Sequence, residues 1–121
     1  MQAHAYPGHH CFAFFVSLLV LLGLNARAEV FTVINTDISG PGSLAQAITD
    51  ANNLAGADTI EFNIPGTGVH TITVIPDTLL GIIDDVTIDG YTQPGATPNT
   101  LAVGDNAIIL IQIDGGGPAS I

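Results

Sequence analysis

Asn63-Ile64-Pro65-Gly66, Thr87-Ile88-Asp89-Gly90 and Gln112-Ile113-Asp114-Gly115 decide how this chain is read. Each stretch has the order polar residue, Ile, turn residue, Gly, and the copies follow one another at offsets of 24 and 25 residues. Each also closes a strand-like pattern. One strand end per repeat of that length is the signature of a solenoid whose coils stack on their neighbours. Stacking predicts a single interior column made of Ile64, Ile88 and Ile113. The expected fold class is all-β, the start of a parallel β-helix.

The segments around these stretches extend the expectation. Val30 to Asn35 reads as a short strand. Ile60, Phe62 and Ile64 alternate with Glu61 and Asn63, Ile72 and Val74 with Thr71 and Thr73, and Val86 and Ile88 flank Thr87. Period-2 alternation of this kind marks a strand with one buried face. Ile108 to Ile113 is apolar on both faces except at Gln112, as in a strand covered on both sides. The only helical pattern is 43–56, SLAQAITDANNLAG. Ser43 and Gln46 have capping-box spacing. Leu44, Ala47, Ile48, Ala51 and Leu54 fall on one face, and Gly56 suits the left-handed residue that closes a helix. Because a solenoid exposes its first coil, this amphipathic helix is expected to cap it.

The first 28 residues read differently. Met1 to His10 is followed by an apolar run from Cys11 to Leu24 and then by Ala26-Arg27-Ala28, a small-residue cleavage pattern, with Glu29 next. That order is the order of a secretory signal peptide, and the run is short for a membrane span. The leading stretch carries His4, His9 and His10 but no Lys or Arg. The expected organisation is a signal peptide over 1–28, a strand and capping helix over 29–57, and first coils over 58–121. The last segment ends without a closing cap, the pattern of a longer chain cut short.

Removal of the leader changes the charge. Arg27 is the only Lys or Arg, Cys11 the only cysteine, and all eleven Asp and Glu lie from Glu29 onward. The remainder carries eleven acidic groups and no Lys or Arg. Such a field disfavours nucleic acid and anionic membrane surfaces, because neutralising phosphates takes protein cations. Without cysteines there is no disulfide framework, so the fold rests on packing or repetition.

Val33 to Ile48, then Asp50-Ala51-Asn52 and Gly56 to Phe62, resemble the openings of bacterial surface and secreted proteins of the right-handed parallel β-helix repeat class, which often carry a CSLREA motif at this helix. Val86 to Gly95, with Pro98-Asn99-Thr100 and Gly104-Asp105-Asn106, resembles the same openings. One departure is Ala45, which stands where those proteins usually have Arg. The resemblance implies export and a pectin lyase-like solenoid. It implies no single activity.

The residues that bear chemistry are few. Asp84 and Asp85 are neighbours, so in a strand they point to opposite faces and cannot act on one bond together. Asp89 and Asp114 would stack one coil apart, at about the 4.8 Å strand spacing, if the repeat holds. That spacing suits a carboxylate pair of a retaining glycosidase or a Ca²⁺ ion. Pro65 holds the equivalent place in the first copy, however, and Pro and Asp share a role in turns, not in catalysis. A structural Asp-Gly corner is the favoured reading, with Ca²⁺ at Asp89 and Asp114 the weaker one and no other cofactor expected. His70 has no nucleophile partner in the pattern. The polar loop from Tyr91 to Thr100 offers Tyr91, Gln93 and Asn99 for glycan contact, but a rigid structural loop is the favoured reading, because its Pro94-Gly95 pair is a strong turn former.

No catalytic set is expected in these residues. The reading is a non-catalytic segment of a secreted or cell-surface protein, acting in adhesion or glycan contact, its partners being an extracellular polysaccharide and downstream coils of a longer chain. No nucleic acid is expected as a partner, and no membrane once the leader is removed. The alternative is the front of a polysaccharide-degrading hydrolase or lyase whose site lies on later coils.

Overall fold

A computed structural model of the chain describes residues 26–74 and 81–115. Most of the expected signal peptide, residues 1–25 of 1–28, lies outside the described residues.

The elements run β1 (Val30–Val33), α1 (Leu44–Asn52), β2 (Asp58–Phe62), β3 (His70–Thr73), β4 (Val86–Asp89), a 3₁₀ turn (Gly90–Thr92) and β5 (Ile111–Asp114). They form two small parallel sheets, one ordered β1-β2-β4 and the other β3-β5. The chain is a small mixed α/β fold, and the expected all-β parallel β-helix is not what it forms. Among the described residues there is neither a closed sheet nor a solenoid.

The strand register does not follow the repeat. Val30 faces Thr59, 29 residues on; Asp58 faces Val86, 28 on; His70 faces Ile111, 41 on. None of these spacings is the 24 or 25 of the repeated stretches. Ile88 pairs with Ile60 and Ile113 with Ile72, in different sheets, while Ile64 lies beyond the end of β2. The predicted column of Ile64, Ile88 and Ile113 is absent. What repeats is a strand-ending turn chemistry, which any short strand uses.

The helix has another role than that of a cap on a first coil. Adjacent parallel strands cannot be joined by a tight turn, so a crossover must return the chain to the start of the sheet. α1 is that crossover between β1 and β2, and it packs on both. Ser43 starts it as expected: its backbone is extended, and its Oγ accepts from Gln46 N at 3.2 Å and donates to Gly40 O at 2.7 Å. Only half of the capping box forms, because the Gln46 side chain donates to Asp50 Oδ1 at 2.8 Å instead of reaching back. Leu44, Ala45, Ala47, Ile48 and Ala51 are buried. Leu54 is exposed and Gly56 lies beyond the helix end, since Asn53 already caps it.

The core joins this helical face to the sheets: Val33, Leu44, Ala47, Ile48, Ile60, Phe62, Ile64 and Ile72, with Phe31, Val86 and Ile111 packed at its margin. Strand β2 alternates cleanly, with Asp58, Ile60 and Phe62 inward. The expectation of a strand buried on both faces at Ile108–Ile113 fails. Only Ile111 packs on the core, and Ile108, Ile109 and Ile113 are exposed.

Candidate functional site

The segment after β4 carries all three polar side chains named for glycan contact, and the chain at and just beyond the end of β2 takes up part of it. Asp89 Oδ1 accepts from Tyr91 N at 2.9 Å and so caps the 3₁₀ turn. Thr92 Oγ1 donates to Asp89 O at 2.7 Å and accepts from Phe62 N at 2.8 Å. Gln93 follows with both ends of its amide engaged: Oε1 accepts from Ile64 N at 2.9 Å and Nε2 donates to Ile64 O at 2.8 Å. The side chains of Thr92 and Gln93 thus continue, past the end of β4, the hydrogen bonding that a longer strand would have supplied from its backbone.

This separates the three candidates for glycan contact. Gln93 is 2% exposed and wholly occupied with Ile64, so it faces the interior, not a ligand. Asn99 is exposed, but it staples its own loop: Nδ2 donates to Leu101 O and Gly104 O, and Oδ1 accepts from Leu101 N and Asn106 N. Tyr91 is 44% exposed. Its ring borders a shallow pocket of about 240 Å³ lined by Ile88, Asp89, Gly90, Tyr91 and Ile109. Pro94-Gly95 makes the expected turn, with Ala96 N donating to Gln93 O at 2.9 Å and Gly95 at φ 92°. A single antiparallel bridge, Thr97 to Ile108, closes the base of the loop.

Asp89 and Asp114 do not stack. Asp89 faces Glu61 in one sheet, and Asp114 faces Thr73 in the other. The geometry that suggested a glycosidase pair or a Ca²⁺ site required them on one ladder. Among the described residues no group of three or more His, Cys, Asp or Glu is placed to hold a metal ion. Asp84 serves the backbone as expected of a turn residue, accepting from Gly56 N at 3.3 Å and from Asp85 N at 2.8 Å. His70 opens β3, and its ring Nε2 is buried with no hydrogen-bond partner.

The sequence places Gln93 among the candidates for glycan contact, but its buried structural role has no sequence signal, because a Gln in a polar loop looks solvated. A second buried polar side chain, that of Asp58, belongs to no candidate site read from the pattern. Its burial does have a signal: it stands two residues before Ile60, in the inward phase of the β2 alternation.

Comparison with known protein families, with curated proteins and with solved structures finds no match to this chain. Among the described residues no helix is long and apolar enough to cross a membrane.

Proposed function

We propose that the chain is exported and acts outside the cell as a non-catalytic contact module that holds carbohydrate weakly at Tyr91. The observation that carries this reading is the Tyr91 ring, exposed beside the pocket it forms with Ile88 and Ile109. An aromatic face flanked by apolar walls suits the C–H face of a sugar ring, while a phenol hydroxyl and the nearby Asp89 carboxyl group suit its hydroxyls. Tyr91 N is held by Asp89 Oδ1, so the backbone under the ring is already ordered and little entropy is lost on binding. A remainder with eleven acidic groups and no Lys or Arg favours a neutral glycan over an anionic one.

The test uses an accident of composition. The chain has two tyrosines, Tyr6 in the leader and Tyr91, and no Trp. Tyrosine emission from the chain lacking its leader therefore reports Tyr91 alone. Titration with neutral β-1,4-linked hexose oligomers should change that emission with a Kd of about 1 mM, near −4 kcal/mol. Tyr91→Ala should abolish binding, followed by NMR line shifts at Ile88 and Ile109, without changing the melting temperature. Unmoved emission and unmoved lines at saturating oligomer would remove the proposal.

A further inference from the structure

Asp58 opens β2 at 2% exposure, turned inward with Ile60 and Phe62. Its Oδ1 accepts from Glu29 N at 2.9 Å, and its Oδ2 is buried with no hydrogen-bond partner. A buried carboxyl group with one oxygen unmatched is costly, and a buried charge persists only where it is paired. Both groups are fixed in place. Asp58 N donates to Asp85 O at 2.9 Å, and Thr59 N donates to Glu29 O at 2.9 Å. The backbone nitrogen of Glu29 is thus anchored against this carboxyl group.

Glu29 is also the first residue after the Ala26-Arg27-Ala28 pattern, and residues 26–30 are exposed. Hydrolysis of the Ala28–Glu29 bond consumes one water. Its hydroxyl goes to the Ala28 carbonyl carbon, leaving a carboxyl terminus, and its proton goes to the Glu29 nitrogen. That nitrogen takes up a further proton at neutral pH. One uncharged N–H becomes an ammonium with three donors and a full positive charge, at the position already touching Asp58.

We infer that Asp58 is the docking site for the amino terminus created by leader removal, its carboxylate pairing with the Glu29 α-ammonium. The inference rests on the export reading above, through cleavage after Ala28. The ammonium supplies the donor that Oδ2 lacks, and a charge-assisted bond of this kind is about twice as strong as a neutral one. No other permanent cation competes. Arg27 departs with the leader, and no Lys or other Arg exists. Cleavage also releases the bond from Arg27 N to Ala55 O, so this hold on the loop after α1 is exchanged for an ion pair at β2. Processing and consolidation of the β1–β2 ladder become one event.

The absence of lysine makes the test direct, because the α-amine is the only amine an acylating reagent can find. The full chain is expressed in an exporting host, and the secreted product is identified by intact mass and amino-terminal sequencing. It is then acetylated with an N-hydroxysuccinimide ester at neutral pH, native and in urea. Pairing with Asp58 holds the amine protonated, so native labelling should be about tenfold slower than in urea, the equivalent of one pH unit of protection. Asp58→Asn should return the native rate to the urea rate. A product beginning elsewhere than Glu29 overturns the inference through the processing step. A product beginning at Glu29 that labels equally fast when folded overturns the pairing alone. The second outcome needs no variant, so misfolding of Asp58→Asn leaves the test intact.

Discussion

Gln93 is the side chain on which the loop and the sheet depend together, and its removal is the sharpest test of the fold. Gln93→Ala deletes both bonds to Ile64, a residue whose side chain belongs to the core. The Ile64 N–H and C=O are then buried without partners, at about 1–3 kcal/mol each. A cost of about 2–6 kcal/mol follows, part of it recovered if water enters the vacated space. For a domain of this size each kcal/mol moves the melting temperature by about 4–8 °C, so a fall of at least about 8 °C is expected. Gln93→Glu sharpens the test. Its carboxylate still accepts from Ile64 N, but it turns a second acceptor toward Ile64 O. At neutral pH the variant is as damaged as the alanine one. Below about pH 4 the acid is protonated, the donor returns and the deficit narrows. The sign follows from proton binding: the folded variant holds the proton more tightly than the unfolded chain, so its stability relative to the parent falls as pH rises. Urea denaturation followed by circular dichroism at both pH values measures this. A Gln93→Ala chain within about 0.5 kcal/mol of the parent, or a Gln93→Glu deficit indifferent to pH, would refute the account.

Three other outcomes are expected. Ile48→Asp places an unpaired charge in the α1 contact with the sheets and should cost several kcal/mol, about 3 or more, by the same denaturation assay; unchanged stability would mean that α1 is not docked. Gly42→Ala should destabilise by about 1–3 kcal/mol, because Gly42 sits at φ 80° and a Cβ there would lie 2.5 Å from Ile34 Cγ1; a neutral result would show that the β1–α1 connection rearranges freely. Residues 107–113, AIILIQI, leave Ile108, Ile109 and Ile113 exposed beside the two-stranded sheet. Self-association measured by sedimentation should therefore rise with salt, as screening over about 8 Å at physiological ionic strength removes the repulsion of a highly acidic chain.

What the amino-acid sequence determined by itself is what neighbours a few residues apart decide. The helix after Ser43, its apolar face at Leu44, Ala47, Ile48 and Ala51, the inward set of β2 and the Pro94-Gly95 turn are all set by local spacing and side-chain chemistry, and all were readable. The inward carboxyl group of Asp58 was readable in the same way. Tertiary structure alone decided which strand lies beside which. The ladders join residues 28 to 41 positions apart, and no local pattern encodes that choice, so a recurring strand-ending turn resembles a coil repeat without being one. Tertiary structure also reassigned the polar loop. Gln93 and Tyr91 stand two residues apart with similar surroundings in sequence, yet one is consumed by the unpaired backbone of Ile64 while the other remains at the surface. The physical reason is that a buried N–H and C=O must find partners wherever β4 ends, and only the folded chain shows which side chain meets them.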